Sequence, residues 1–198
     1  MNATEWWDRR IQWVVAVALI AWIAVGTYTG DRWVFPLSYA DLGFHELGHM
    51  LTMFWAPEPV VAFAGSFVQM AVPLGLGVYF HFVRRQPFAT ALMLAWAGSS
   101  ASNVAIYIAD ATRRVLPLLG DQEGHDWAYL LGPGALNMLD ATDAIAAGVQ
   151  VLAAMLFASA VGVVLMGYLS PLAAAKRAEQ HREYLETLPV REPRNPGV

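Results

Sequence analysis

The residues best suited to chemistry are His45, Glu46 and His49, which form an HExxH motif inside a mostly apolar run. On a helix, a spacing of four residues places both imidazoles on one face, one turn apart, where they can bind one Zn²⁺ ion. Glu46 then lies beside the metal and is suited to take a proton from an activated water. Histidine is scarce, with five in 198 residues. The motif therefore predicts a metal site and hydrolytic use of it.

A catalytic zinc site typically has three protein ligands and an open position for water, so two histidines are incomplete. The candidates for the third ligand are Asp110, Glu123, His125 and Asp126. Asp110 ends an apolar segment, where a carboxylate is costly unless it has a function. His125 is the better intrinsic zinc ligand, and Asp126 or Glu123 can orient it. We predict that Asp110 or His125 completes the site, and this choice stays open.

A polar line on a later apolar segment is a further candidate for site chemistry. Ser99, Asn103 and Asp110 recur at intervals of four and seven, which places them on one face of a helix. Small residues for close helix packing explain the serines well but explain Asn103 poorly. We predict that Asn103 or His125 stabilises an oxyanion during hydrolysis.

The composition is that of an integral membrane protein. Hydrophobic residues make up 57 % of the chain and charged residues 14 %, whereas a soluble domain is about a quarter charged. Four apolar runs are long enough to cross a bilayer, namely Ile11 to Tyr28, Val60 to Val83, Phe88 to Ala109 and Ala144 to Tyr168. We expect an all-α fold of about four transmembrane helices in one domain, residues 1–170, and a cytoplasmic charged helix with a disordered Pro-rich tail, residues 171–198.

Charge and cysteine content exclude other classes of protein. The net charge is −4 without a basic tract, so a nucleic-acid partner is not expected. The chain has no cysteine, which excludes disulfides, thiolate ligands and a cysteine nucleophile. The expected partners are the lipid bilayer and either a membrane-protein substrate or neighbouring membrane subunits.

The helix that carries the motif is expected to begin near Ser38, which resembles a capping box with Asp41, and to end near Trp55. Its length of about 18 residues, or about 27 Å, allows either a full span or a re-entrant helix.

The distribution of basic residues favours the re-entrant helix. With four crossings, the pairs Arg9-Arg10 and Arg84-Arg85 lie on the same side as the basic tail, as expected of the cytoplasmic side. We expect a bacterial inner-membrane protein with both termini in the cytoplasm and the site toward the outer face.

Residues 40–111 resemble the site-2 protease family of intramembrane zinc metalloproteases, with HELGH as the sharpest motif. An HExxH helix is followed by a helix bearing Gly-Ser and Gln, and then by an Asn-to-Asp segment on a later helix. The resemblance implies that His45, His49 and Asp110 bind zinc and that Glu46 is the general base. The aspartate of that family usually lies in an Asn-Pro-x-x-Pro-x-Asp-Gly context, which Asp110 lacks.

The sequence thus predicts a zinc metalloprotease that hydrolyses peptide bonds of membrane proteins within or near the bilayer. The alternative is a non-catalytic integral subunit of a larger membrane complex, with a structural or lost metal site. Eight tryptophans and little extramembrane mass suit such a subunit. Four protein ligands with no position for water would favour the alternative.

Overall fold

The computed structural model describes residues 3–29, 32–117 and 124–187. Within these ranges the chain is all-α and forms no β-strand. The α-helices are α1 (Ala3–Tyr28), α2 (Leu37–Thr52), α3 (Glu58–Val78), α4 (Pro87–Ala109), α5 (Asp126–Leu131) and α6 (Thr142–Thr187). A wider π-type turn, Tyr79–Val83, continues α3, and a short 3₁₀ turn, Leu139–Ala141, precedes α6.

Four helical segments are long and apolar enough to cross a membrane, which confirms the predicted membrane fold. They are Ile11–Tyr28, Glu58–Val83, Pro87–Ala109 and Leu139–Ser170. The motif helix α2 has only 16 residues. At 1.5 Å per residue it is about 24 Å long, less than the ~30 Å hydrocarbon core of a bilayer.

Three local predictions differ from the structure. The predicted capping box does not form, because the Ser38 hydroxyl accepts from the Val34 amide at 2.9 Å and the Asp41 carboxylate accepts from the Trp96 indole at 2.9 Å. α2 ends at Thr52 rather than near Trp55. The last span and the charged helix after it form one continuous helix, α6. The predicted frayed tail, residues 189–198, lies outside the described residues.

Contacts between helices define two ends of the bundle. The Trp13 ring packs against Gly167, so the first half of α1 lies beside the second half of α6. At the opposite end, the Trp127 indole donates to the Ser66 hydroxyl at 3.0 Å, which joins α5 to the start of α3. We call these the termini end and the site end.

Helix α4 lies at the centre because its surface is made of small residues. Its fully buried alanines include Ala91, Ala95 and Ala101. A Cβ atom added at Gly98 would lie 2.8 Å from the Phe157 ring of α6. Small residues allow helix backbones to approach closely in membranes, where packing replaces the hydrophobic effect as the force between helices.

Candidate metal centre

The two motif histidines lie under the backbone of α3. A Cβ atom at Gly65 would lie 2.6 Å from His49 Nε2 and 2.7 Å from His45 Nε2, closer than any real side chain could come. Next to this contact, Gly48 of α2 meets the backbone of Ala64 so closely that a side chain there would collide with its carbonyl group. Two glycines therefore let α2 and α3 touch and leave the space over the imidazoles clear.

Each imidazole is oriented through its Nδ1 atom. His45 Nδ1 lies 3.2 Å from Gln69 Oε1, and His49 Nδ1 lies 2.9 Å from the carbonyl oxygen of Val61. Both partners are oxygens that only accept, so each Nδ1 carries the proton and donates it. Both Nε2 atoms then face the cleft. Histidine ligands of metals are usually fixed in this way.

The Asp126 carboxylate faces both Nε2 atoms. Its Oδ2 atom lies 3.0 Å from His45 Nε2 and 3.3 Å from His49 Nε2. Ligand atoms at ~2.0–2.1 Å from a tetrahedral zinc ion are separated by about 3.4 Å, so these spacings fit one metal ion. The ligand atoms of His45, His49 and Asp126 all lie within 4.8 Å of one another. Two lone pairs beside a carboxylate need a cation or a proton between them, and the geometry fits a divalent cation.

Asp126 reaches the histidines because α5 is fixed in the core. It is the first residue of α5, where the free N–H groups of the helix favour a carboxylate. The next side chain, Trp127, is buried and bonded to Ser66. Burial alone would raise the pKa of Asp126, but its close contacts with His45 and His49 hold that pKa below its ordinary value.

Tyr107 of α4 supports the same carboxylate and was not predicted. Its hydroxyl oxygen accepts from the Asp126 amide at 3.0 Å and lies 3.3 Å from Asp126 Oδ2. Its ring stacks on His125 with centroids 4.4 Å apart and meets the His45 ring edge-on at 5.7 Å. The sequence signal was its position one turn after Asn103 on the polar line of α4.

The two predicted catalytic residues flank the ligands. Glu46 follows the first ligand on α2, is half-buried, and interacts electrostatically with His49. Asn103 is exposed, and its Oδ1 atom accepts from Gln69 Nε2 at 3.1 Å. Since Gln69 also binds His45, a hydrogen-bonded chain joins Asn103 to a ligand.

Asp110 and His125 form a separate pair behind the ligands. The Asp110 carboxylate accepts from the amides of Val115 at 3.1 Å and Leu116 at 3.0 Å. His125 Nε2 lies 3.5 Å from Asp110 Oδ2, while His125 Nδ1 accepts from the Ala128 amide at 3.3 Å. Burial lowers the pKa of His125 against the opposing effect of Asp110, so the ring is neutral.

The structure thus brings two of the four predicted ligands, His45 and His49, into one group. Across the part of the chain that the structure describes, the third member of that group is Asp126, and neither Asp110 nor His125 belongs to it. Glu123 lies outside the described residues. Asp126 had been considered mainly as a partner for His125.

Comparison with known proteins finds no matching family model, no matching curated protein and no matching solved structure. The resemblance to site-2 proteases therefore stays a hypothesis that rests on the HELGH motif.

Proposed function

We propose that this chain is a membrane-embedded zinc metalloprotease that hydrolyses peptide bonds of membrane proteins within or near the bilayer. The observation that supports this most is the convergence of His45 Nε2, His49 Nε2 and Asp126 Oδ2, with both Nδ1 atoms bonded away from the centre. Three protein ligands, rather than four, are typical of a catalytic site. Glu46 follows the first ligand, as the chemistry of an HExxH motif requires.

The roles of the side chains follow from their positions. A zinc ion held by these three residues would supply a Lewis acid that polarises the scissile carbonyl and lowers the pKa of a water molecule. Glu46 takes a proton from that water and delivers it to the leaving amine. Tyr107 holds Asp126 in place through its hydroxyl group. Asn103 is anchored through its oxygen, and its NH₂ group can donate to a developing oxyanion.

We also propose an orientation in the membrane. Arg84 and Arg85 lie in the turn between α3 and α4, and Lys176 and Arg177 follow in the outer part of α6, all at the termini end. The opposite side has Arg32, which follows α1, and the pair Arg113-Arg114, which follows the last turn of α4. Since basic residues accumulate on the cytoplasmic side, the termini are cytoplasmic and the site faces the outside of a bacterial inner membrane.

Metal content and cleavage, measured on the same detergent-solubilised samples, test the proposal. The wild type is expected to hold about one zinc per chain and to cleave a membrane-embedded peptide. Glu46→Gln should keep the metal and lose cleavage, because it removes only the proton acceptor. His49→Ala should lose the metal and the activity together.

Matched controls are available in the same chain. His81→Ala and Glu58→Gln change exposed side chains of the same types outside the ligand group, and both should retain zinc and activity. Stoichiometric zinc in a wild type that cleaves no membrane-embedded peptide would contradict the protease assignment and favour the non-catalytic subunit. Absence of any bound divalent metal would overturn both the catalytic and the structural metal site, and would leave only the non-catalytic subunit that has lost its metal.

A further inference from the structure

Helix α2 carries a buried acidic side chain, Asp41, that the proposed mechanism does not use. Asp41 is 3 % exposed and lies beside the middle of α4, where its Oδ1 atom accepts from the Trp96 indole N–H at 2.9 Å. A second hydrogen bond joins its carboxyl group to the hydroxyl of Ser100, one turn farther along α4. A buried charge among membrane helices is costly, so the partners of Asp41 have to show which protonation state it adopts.

The Ser100 hydroxyl has one proton, and the backbone of α3 requires it. Pro73 lies inside α3 and has no N–H group, so the carbonyl oxygen of Gln69, four residues earlier, lacks its helical donor. The Ser100 hydroxyl replaces that donor, at 3.2 Å from the Gln69 carbonyl oxygen. Both residues are buried, and an unpaired carbonyl group is costly in such a position. The proton of Ser100 therefore belongs to the bond with α3.

Ser100 can then bond to Asp41 only as an acceptor. A carboxylate also only accepts, whereas a protonated carboxyl group has one O–H donor. The bond between Asp41 and Ser100 therefore requires the neutral acid, which accepts from Trp96 at one oxygen and donates to Ser100 from the other. Removal from water disfavours the charged form of a carboxyl group as well.

Gln69 connects this bond to the metal centre. Its backbone carbonyl accepts from Ser100, and its side-chain Oε1 atom lies 3.2 Å from Nδ1 of the ligand His45. The Ser100 hydroxyl thus holds the backbone of the residue whose side chain orients a metal ligand.

We infer that Asp41 is a neutral carboxylic acid and a positioning residue for His45, acting through Ser100 and Gln69. The inference rests on the metal centre of the proposed function and adds to it a group outside the HExxH motif. The neutral acid joins α2 to α4 through an acceptor and a donor at once, which a carboxylate cannot do. It also avoids the cost of a charge among apolar helices.

Infrared spectroscopy measures the protonation state directly. At about pH 6, an aspartate with an ordinary pKa of about 3.9 is ionised, so a C=O band of a protonated carboxyl group identifies a neutral acid. The wild type should show such a band, and Asp41→Asn should lack it. Asp143→Asn, which alters an exposed aspartate in the first turn of α6, is the control and should keep the band. A spectrum without a protonated-acid band that depends on Asp41 would overturn the inference.

Zinc affinity, measured by competition with a chelator, tests the positioning role. Asp41→Asn should stay within about twofold of the wild type, because an amide accepts from Trp96 and donates to Ser100 as the neutral acid does. Asp41→Leu should weaken zinc binding about three- to tenfold, since the hydrogen bond that supports Ser100 is lost. Equal losses in the two variants would mean that Asp41 acts as a carboxylate, and unchanged affinity in Asp41→Leu would exclude a positioning role.

A compensating substitution tests the path through α3 and also serves if Asp41→Leu does not fold. Ser100→Ala should weaken zinc binding about three- to tenfold, because the Gln69 carbonyl loses its donor. Pro73→Ala restores a backbone N–H four residues after Gln69, so Ser100→Ala/Pro73→Ala should recover the wild-type affinity to within about threefold. Pro73→Ala alone should stay within about twofold. Failure to recover, or a loss in Pro73→Ala alone, would overturn this path.

The failure of this inference can be distinguished from the failure of the proposed function. A wild type that shows the protonated-acid band and binds zinc, but cleaves no membrane-embedded peptide, would contradict the protease assignment and leave the role of Asp41 standing. A wild type that binds no metal would overturn the positioning role together with the metal centre, and the infrared band would still decide the protonation of Asp41.

Discussion

Two neighbouring regions use the same residue types, histidine and aspartate, in opposite ways. In the first, His45 and His49 donate from Nδ1 to the protein and point both Nε2 atoms at Asp126. In the second, His125 accepts a backbone amide at Nδ1, and Asp110 accepts two backbone amides. We call these the ligand group and the structural pair.

The difference shows that hydrogen bonds to the backbone decide whether such residues can bind a metal. In the structural pair, backbone amides already occupy His125 Nδ1 and both Asp110 oxygens, so a metal there would have to displace these hydrogen bonds. The ligand group has lone pairs facing one another under Gly65, which a cation satisfies. Residue type and proximity alone would not separate the two regions.

Removing the charge of each aspartate in turn separates the two regions most strongly. Asp126→Asn should weaken zinc binding by at least about 100-fold, because an amide is a poor zinc ligand. Asp110→Asn should leave zinc affinity within about threefold of the wild type. It should instead destabilise the fold by about 1–3 kcal/mol, since one of the two hydrogen bonds that Asp110 accepts from backbone amides is lost. Competition with a chromogenic chelator gives the affinities, and thermal unfolding in detergent gives the stabilities.

The reverse result is equally informative. If Asp110→Asn released the metal while Asp126→Asn kept it, the ligand assignment drawn from the sequence resemblance would be right and the one drawn from geometry would be wrong. A His125→Asn variant that lost zinc would point the same way.

The next largest loss of zinc affinity is expected when a side chain at Gly65 closes the space above the ligand group. Gly65→Ala places a methyl group where only 2.6 Å separates it from His49 Nε2, so an imidazole must move and lose its Nδ1 hydrogen bond. Zinc affinity should fall about 10- to 100-fold, as it does when the outer partners of metal ligands are lost. Gly43→Ala is the control, because nothing lies within 4 Å of a Cβ there and α2 should be stabilised slightly. Isothermal titration with Zn²⁺ measures both variants, and an unchanged Gly65→Ala would contradict the packing described.

Tyr107→Phe should reduce zinc affinity less than Gly65→Ala does. The variant keeps the ring that stacks on His125 and removes only the hydroxyl that lies 3.3 Å from Asp126 Oδ2. Zinc affinity should fall about tenfold. The d–d spectrum of the Co²⁺-substituted protein should shift, because Asp126 is held less firmly. Tyr129→Phe, whose ring lies on α5 away from the ligand atoms, should give the wild-type spectrum.

The fold could be predicted largely from sequence because four long apolar runs leave few alternatives in a bilayer. Ile11–Tyr28 and Pro87–Ala109 appear within a residue of their expected limits. The charged helix after Ser170 was separated from the last span at Pro171, yet the chain stays helical through it. Proline removes one helical hydrogen bond but does not force a helix to end.

The two histidines of the ligand group could be predicted from sequence, whereas Asp126 could not, because it lies far from them along the chain. His45 and His49 share a helix, so their spacing alone places them together. Asp126 joins them from a segment that lies beyond two other helices, and its position is fixed by the burial of Trp127 against α3 and by the hydroxyl of Tyr107. The sequence carried a weak signal, an acid followed by an aromatic-rich apolar stretch, which is unusual for a free loop. Asp110 was one of the two candidates because an acid at the end of an apolar segment suggested a ligand, but its carboxylate accepts hydrogen bonds from the backbone of the following turn.

The smallest expected effect is on the pH dependence of folding stability, and it comes from His125 of the structural pair. Because burial lowers the pKa of His125, the folded protein binds fewer protons than the unfolded chain, and stability must fall as the pH drops below the ordinary histidine value of about 6.5. His125→Asn keeps a side chain that can cap α5 but cannot titrate. Metal-free wild type should therefore lose more stability between about pH 7 and pH 5 than metal-free His125→Asn, by up to about 1.4 kcal/mol per unit of pKa shift.

Thermal unfolding in detergent with a chelator measures this difference in stability. Because the metal is removed, His45 and His49 can be protonated in both proteins, and their contribution is common to the two pH curves. Parallel pH curves would mean that His125 is not held neutral, and its separation from the ligand group would then lose its electrostatic basis.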